Sequence, residues 1–101
     1  MHLRCYELAV QFYRSTQTLK LPSHLKNQFL RASSSIALNL SEGSGRAGHR
    51  DRQHFYQIAM GSIRECQAVT QLQPEHFTDE NLKTLDHLAA SVYRLTRCRD
   101  R

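Results

Sequence analysis

The chain has 101 residues, fourteen Lys+Arg against nine Asp+Glu and a sequence pI near 9.5; that length predicts one domain spanning residues 1–101, and the charge points to a polyanionic partner. A hydrophobic fraction of 40% with only four Gly and two Pro excludes a disordered or collagen-like chain, and no run approaches the roughly 20 apolar residues that cross a bilayer. The N-terminus MHLRCYELAV carries no long apolar run or cleavage site, and Cys5, Cys66 and Cys98 are odd in number and far apart, so we expect a cytoplasmic protein with reduced thiols and no membrane contact.

The first helix is predicted from about His2 to Lys20. Leu3, Tyr6, Val10 and Tyr13 follow three-four spacing, with Leu8, Phe12 and Leu19 widening the stripe and Arg4, Arg14 and Gln17 outward. Pro22 breaks the helix, because it disfavours helical backbone at the residue before it, and Pro22 or Ser23 then opens the second. That helix runs to about Glu42, with Leu25, Phe29, Ala32, Ile36 and Leu40 inward and Asn39 at the border, where a buried amide must find partners. Ser33, Ala37 and Ser41 make a stripe of small residues that admits a close neighbour. Gly43 and Gly45 are read as the positive-φ stop. Glu42 lies where the helix dipole disfavours an anion, so it should pair with a cation, and Arg46 is the nearest.

The third helix is predicted from about His49 to Gln73. Phe55, Ala59, Ser62, Cys66 and Val69 form its stripe, flanked by Tyr56, Met60 and Ile63. Gly61 in mid-helix costs about 1 kcal/mol against Ala, which suggests a close crossing at Gly61-Ser62 against the small stripe. Pro74 ends the helix. Thr78 caps the fourth, with Asp79 and Glu80 on its positive end, Leu82, Leu85, Leu88, Ala89, Val92 and Leu95 inward, and Arg94, Arg97, Arg99 and Arg101 at its negative end. There is no strand pattern, repeat or low-complexity tract. Four amphipathic helices with short connections imply an all-α, antiparallel up-down four-helix bundle.

Leu21-Pro22, Asn27-Gln28, Arg31-Ala32, Ser35-Ile36, Asn39, Glu42-Gly43, Gly45-Arg46, Tyr56, Ile58-Ala59 and Gly61-Ser62 together resemble the four-helix-bundle proteins named for reading frames within intervening sequences of 23S ribosomal RNA. The similarity runs from Tyr6 to about Gln73 and is weak in the fourth helix. Three positions depart from the family pattern: Ala37 stands where a proline is common, Gly48 where a capping serine is frequent, and Arg52 where an aromatic is usual. The resemblance implies an up-down bundle assembled into a ring-like homopentamer, a basic surface suited to nucleic acid, and no enzymatic activity. A related branch serves diversity-generating retroelements as the accessory protein that binds the reverse transcriptase and nucleic acid.

The charge is uneven. Residues 1–73 carry nine basic and four acidic side chains, and residues 74–101 carry five of each. Within the first part, Arg46, His49, Arg50, Arg52 and His54 crowd one turn with only Asp51 to offset them. Cations at a helix N-terminus oppose its dipole, and positive charge kept there beside a glycine turn would suit phosphate. The plainer reading is a solvated turn with Arg46 and Arg50 paired to Glu42 or Asp51. Arg94, Arg97 and Arg101 make a second basic face, for which favourable cations at a helix C-terminus are explanation enough.

No enzyme is expected. The six histidines lack ligand spacing, so neither metal nor cofactor is predicted. Glu42 and Glu65 could meet across two helices but are better read as ion-paired, and Cys66 lies about three turns from His54, too far for a nucleophile and its base. Phe55 and Tyr56 are assigned to the core, leaving base stacking unsupported. Two readings follow: an oligomeric protein that binds RNA or DNA without strong base specificity, or an accessory subunit docking a larger enzyme such as a reverse transcriptase. Tyr6, Phe12, Tyr13, Leu30 and Leu38, which widen the stripes beyond one core, favour self-association.

Overall fold

Four helices make up most of the described residues, 3–97, in a computed structural model of the protein. His2, Cys98, Arg99 and Arg101, and the side chain of Leu3, lie outside the described residues. The helices are α1 (Leu3–Ser15), α2 (Ser23–Ser44), α3 (His49–Leu72) and α4 (Asp79–Thr96), with one 3-10 turn at Pro74–His76. Among the described residues there is no strand, and no helix is long and apolar enough to cross a membrane. Each helix packs on the next and α4 returns to α1, while neither diagonal pair approaches as closely. This is the closed arrangement of a four-helix bundle.

Helix α1 is shorter than its sequence periodicity suggests. Thr16 Oγ1 donates to the Phe12 carbonyl at 2.7 Å and Ser15 Oγ to the same oxygen at 3.1 Å. Hydroxyls that bond their own backbone compete with the helical ladder, and the run Ser15-Thr16-Gln17-Thr18 gives way to a turn. The inward face of α1 is also rotated from the expected one. Cys5, Leu8, Ala9, Phe12 and Thr16 are buried, whereas Tyr6, Val10 and Tyr13 are half-buried. Phe12 is fully enclosed, meeting the Phe29 ring edge-on at 5.8 Å, and so contributes nothing to surplus surface.

The other helices start and stop close to their sequence signals. Pro22 is the N-cap of α2, and its carbonyl accepts from the Lys26 amide at 2.8 Å. Phe29, Ala32, Ile36 and Leu40 form the buried stripe. At the start of α4, Thr78 and Asn81 exchange side-chain and backbone hydrogen bonds in a capping box. Asn81 also donates to Ser15 Oγ at 3.2 Å, tying the start of α4 to the end of α1.

The closely packed glycine is Gly43 and not Gly61, where the sequence suggests it. No glycine has positive φ, and Gly45, the C-cap of α2, sits at φ −83°. Gly43 lies inside the last turn of α2 and is buried. A Cβ there would stand 2.8 Å from Tyr56 Cε1 and 3.1 Å from Phe55 Cβ. The close crossing of α2 and α3 is therefore at Gly43. Gly61 is exposed, with nothing within 4 Å of where its Cβ would be, so its helix penalty is not offset by packing. Gly61→Ala is expected to stabilise the protein by about 0.5–1 kcal/mol and to raise Tm by several degrees. A lower Tm would mean that something packs against Gly61 in solution.

Candidate nucleic-acid interface

The α2–α3 turn is built by side chains bonding to their own neighbourhood. Arg46 Nη2 donates to Glu42 Oε2 at 2.6 Å, one helical turn apart, the partnership the sequence predicts for Glu42. The same guanidinium lies 4.8 Å from the centre of the Phe55 ring, and His54 meets that ring edge-on at 5.1 Å. Phe55 is thus half-buried beneath the turn rather than in the core stripe, while Tyr56 is in the core. Arg52 folds back, donating to the carbonyls of Ala47 at 2.7 Å and Arg46 at 3.3 Å. It closes the turn instead of reaching outward. Arg50 and His54 are exposed, and His49 is half-buried.

The ion pair is worth little to stability, because both side chains are about half exposed, Arg46 at 43% and Glu42 at 52%. Glu42→Gln removes an anion from a helix C-terminus, which is mildly favourable, while breaking the pair. We expect a net cost below about 1 kcal/mol, vanishing in 1 M salt. Melting curves of both proteins at low and high salt check this, and a large, salt-independent loss would contradict it.

At the start of α3, Gly48 caps with extended backbone and no side-chain bond. The Arg52 amide is the first to find a helical acceptor, the Gly48 carbonyl at 3.0 Å. The preceding first-turn amides have no acceptor within the helix, and Asp51 is the acid in that turn.

Contacts between helices bring the two basic patches together. Gln53 Nε2, in the second turn of α3, donates to the Leu95 carbonyl at 2.8 Å, so the end of α4 lies beside the start of α3. Cys5 lies near enough to Ser91 and Arg94 for both to act on its thiol, which places the start of α1 there too. Arg94 bonds only weakly to Ser91 Oγ at 3.4 Å, and Arg97 lies over the Tyr93 ring at 5.8 Å. Among the described residues, Arg4, Arg46, Arg50, Arg52, Arg94 and Arg97 consequently share one end of the bundle with only Glu7, Glu42 and Asp51. At the far end Arg14, Lys20, Lys26 and Lys83 are balanced by Glu75, Asp79, Glu80 and Asp86. Arg101 lies outside the described residues.

A second feature is a polar groove of about 400 Å³ between α2 and α3, lined by Asn27, Gln28, Arg31, Ser35, Ser62 and Glu65. Ser62 Oγ donates to Ser35 Oγ at 2.9 Å across the helices. Asn39 Nδ2 donates to Ser35 Oγ at 2.9 Å and to the Ser35 carbonyl at 2.8 Å. Asn39 is half-buried and secures Ser35 within its own helix, and Ser35 in turn accepts the Ser62 bond from α3. Glu65 accepts from Gln28 Nε2 at 3.4 Å, and so has a different partner from Glu42.

Burial pushes the Cys66 thiol up to about 12, with the nearby Glu65 charge adding to it. Burial also raises Cys5, partly offset by Arg94 and Ser91. Neither thiol is suited to nucleophilic chemistry. Among the described residues no three His, Cys, Asp or Glu side chains are grouped to hold a metal ion.

The family model described as 23S rRNA-intervening sequence protein matches residues 2–98. The match takes in α4, where the residues alone leave the likeness weak. A comparison with curated proteins finds no match.

Proposed function

The chain belongs to the 23S rRNA-intervening sequence protein family, and from that premise we propose a non-catalytic, oligomeric protein that binds RNA or DNA chiefly through phosphates. The observation that carries this reading is the convergence of Arg46, Arg50, Arg94 and Arg97 at one end of the bundle, beside the N-terminus of α3. Charge concentrated this way is the footprint of polyanion binding, and the phosphate contacts it makes are blind to sequence.

In the same reading the helices alternate in direction and the bundles form a ring, with five copies as the resemblance implies. The bonds from Gln53 to Leu95 and from Asn81 to Ser15, at opposite ends, support the alternation. Self-association is supported by Leu38, 67% exposed on α2, and by an apolar hollow on α1 beside Tyr6 and Val10. A ring repeats the basic end around its axis and multiplies weak contacts. The cytoplasm is the setting we propose, since Cys5 and Cys66 are free, buried thiols.

The test is binding to labelled RNA and duplex DNA by fluorescence anisotropy over a salt series, with the mass measured by light scattering on the same sample. Affinity should fall steeply with salt, at a mass that is a multiple of 11.7 kDa. A monomer removes the ring. No binding at low salt removes the nucleic-acid reading and leaves the accessory-subunit one, a docking protein for an enzyme such as a reverse transcriptase.

A further inference from the structure

The α2–α3 groove is lined by polar groups whose hydrogen-bonding capacity the fold does not use up. Ser35 Oγ accepts from both Ser62 Oγ and Asn39 Nδ2. A hydroxyl has one donor and two acceptor positions, so the Ser35–Ser62 pair shares one proton between its oxygens and keeps a second that among the described residues has no acceptor. The Arg31 guanidinium likewise has no acceptor among the described residues, although it shares the groove with the Glu65 carboxylate. Among the described residues Glu65 is engaged only through Oε2, by one long bond from Gln28. The groove therefore presents a two-oxygen acceptor on one side, and a guanidinium and a hydroxyl donor for the same ligand.

We propose that this groove holds the base of an unpaired guanine, an inference that rests on the nucleic-acid reading above. Guanine is the base with two N–H groups side by side, N1–H and the N2 amine, and a carboxylate accepts such a pair in parallel. The guanine O6 stands next to N1, and O6 and N7 are acceptors, which suits Arg31 and the Ser35 hydroxyl. Adenine, cytosine and uracil each offer a single donor group on that edge and leave one Glu65 oxygen unmatched. In a duplex this edge is taken up by pairing, so the ligand is a single strand, whose bases are read on their Watson–Crick edges. A volume of about 400 Å³ falls in the range of small-ligand sites. A peptide fits less well, because its backbone N–H and C=O are not adjacent donors, and an arginine seeking Glu65 would meet Arg31. The groove lies along α2 from the basic turn. Ser35 and Arg46 are eleven residues apart, roughly 16 Å at the helical rise, so one strand can engage both.

The experiment compares three single-stranded RNAs that are adenine throughout except at one central position, which is guanine, inosine or adenine. Inosine keeps O6 and N1–H and lacks the N2 amine. The guanine strand should bind at least about tenfold tighter than the other two, as a bidentate contact is worth that much discrimination. Glu65→Gln should erase this difference, so that the three strands bind alike. If the three strands bind equally, or if Glu65→Gln keeps the preference, the guanine site is overturned while the phosphate reading stands. If no strand binds, the phosphate reading falls, and a titration with guanosine monophosphate followed by the Ser35 and Ser62 amide signals decides the groove alone. Shifts abolished by Glu65→Gln support it, and unmoved signals overturn it.

Discussion

Replacing Arg46, Arg50, Arg94 and Arg97 together by Ala is expected to remove most of the salt-sensitive affinity for nucleic acid while leaving the helices and the oligomer intact. None of the four is buried, and their bonds are to Glu42, to Ser91 or to the aromatic rings of Phe55 and Tyr93. If each meets one phosphate, the logarithmic salt slope on duplex DNA falls by about 3.6 per subunit. Between 50 and 200 mM salt, those four contacts account for roughly a hundredfold in affinity. The parent should show that loss and the variant should not, equally for every duplex sequence. Arg52 is left in place because it holds the turn. A variant that binds with the parent's affinity and slope would refute the basic end as the interface.

Gly43→Leu should be strongly damaging. The added side chain points at a Tyr56 ring that is 3% exposed and at Phe55 Cβ, which cannot move without its helix. The two helices must part along their most extensive contact. Overpacking of this kind costs up to about 3 kcal/mol, against about 1 kcal/mol regained from helix propensity. The net loss is a sizeable share of the 5–15 kcal/mol that holds a typical domain and should lower Tm by roughly 10 °C. Removing the obstructing ring in Gly43→Leu/Tyr56→Ala should recover part of the loss, a coupling that a double-mutant cycle isolates. Strictly additive effects would place the clash elsewhere.

What the sequence makes legible here depends on whether a residue's role is set by its own helix or by another. The start of α2 at Pro22, the stop before Pro74, the Thr78 cap and the Glu42–Arg46 pair are local, and each is found where residue chemistry puts it, whereas α1 ends at Ser15, well before Pro22. The inward face of α1 is not local. Tyr6, Val10 and Tyr13 are bulky and correctly spaced, so they read as core, but the neighbours select the smaller Cys5 and Ala9 with Leu8 and Phe12. Gly43 and Gly61 are alike in sequence terms, and only the path of α3 decides which must be bare. Phe55 reads as core by periodicity and is drawn to the turn by Arg46. The candidate interface was half legible. Arg46, Arg50, Arg94 and Arg97 stand out individually as two patches, and their union follows only once Gln53 is bonded to Leu95. Ser35 reads as part of a motif and Glu65 as an ion-paired carboxylate, and it is the packing of α2 on α3 that makes them walls of one groove.

The lopsided placement of charge along a body 44 Å long also governs how the protein approaches a polyanion. The surplus sits at one tip and the opposite tip is neutral in sum, so the molecule carries a lengthwise electric dipole. In dilute salt, with a screening length of about 30 Å, that dipole is felt before contact, and the bundle turns its basic tip toward a nucleic acid while still diffusing. At physiological ionic strength the length shrinks to about 8 Å, far less than the long axis, and the two tips become electrically independent. Encounters then begin in random orientation, and productive ones are those that happen to lead with the arginines. Association should therefore slow with salt through lost orientation as well as lost attraction.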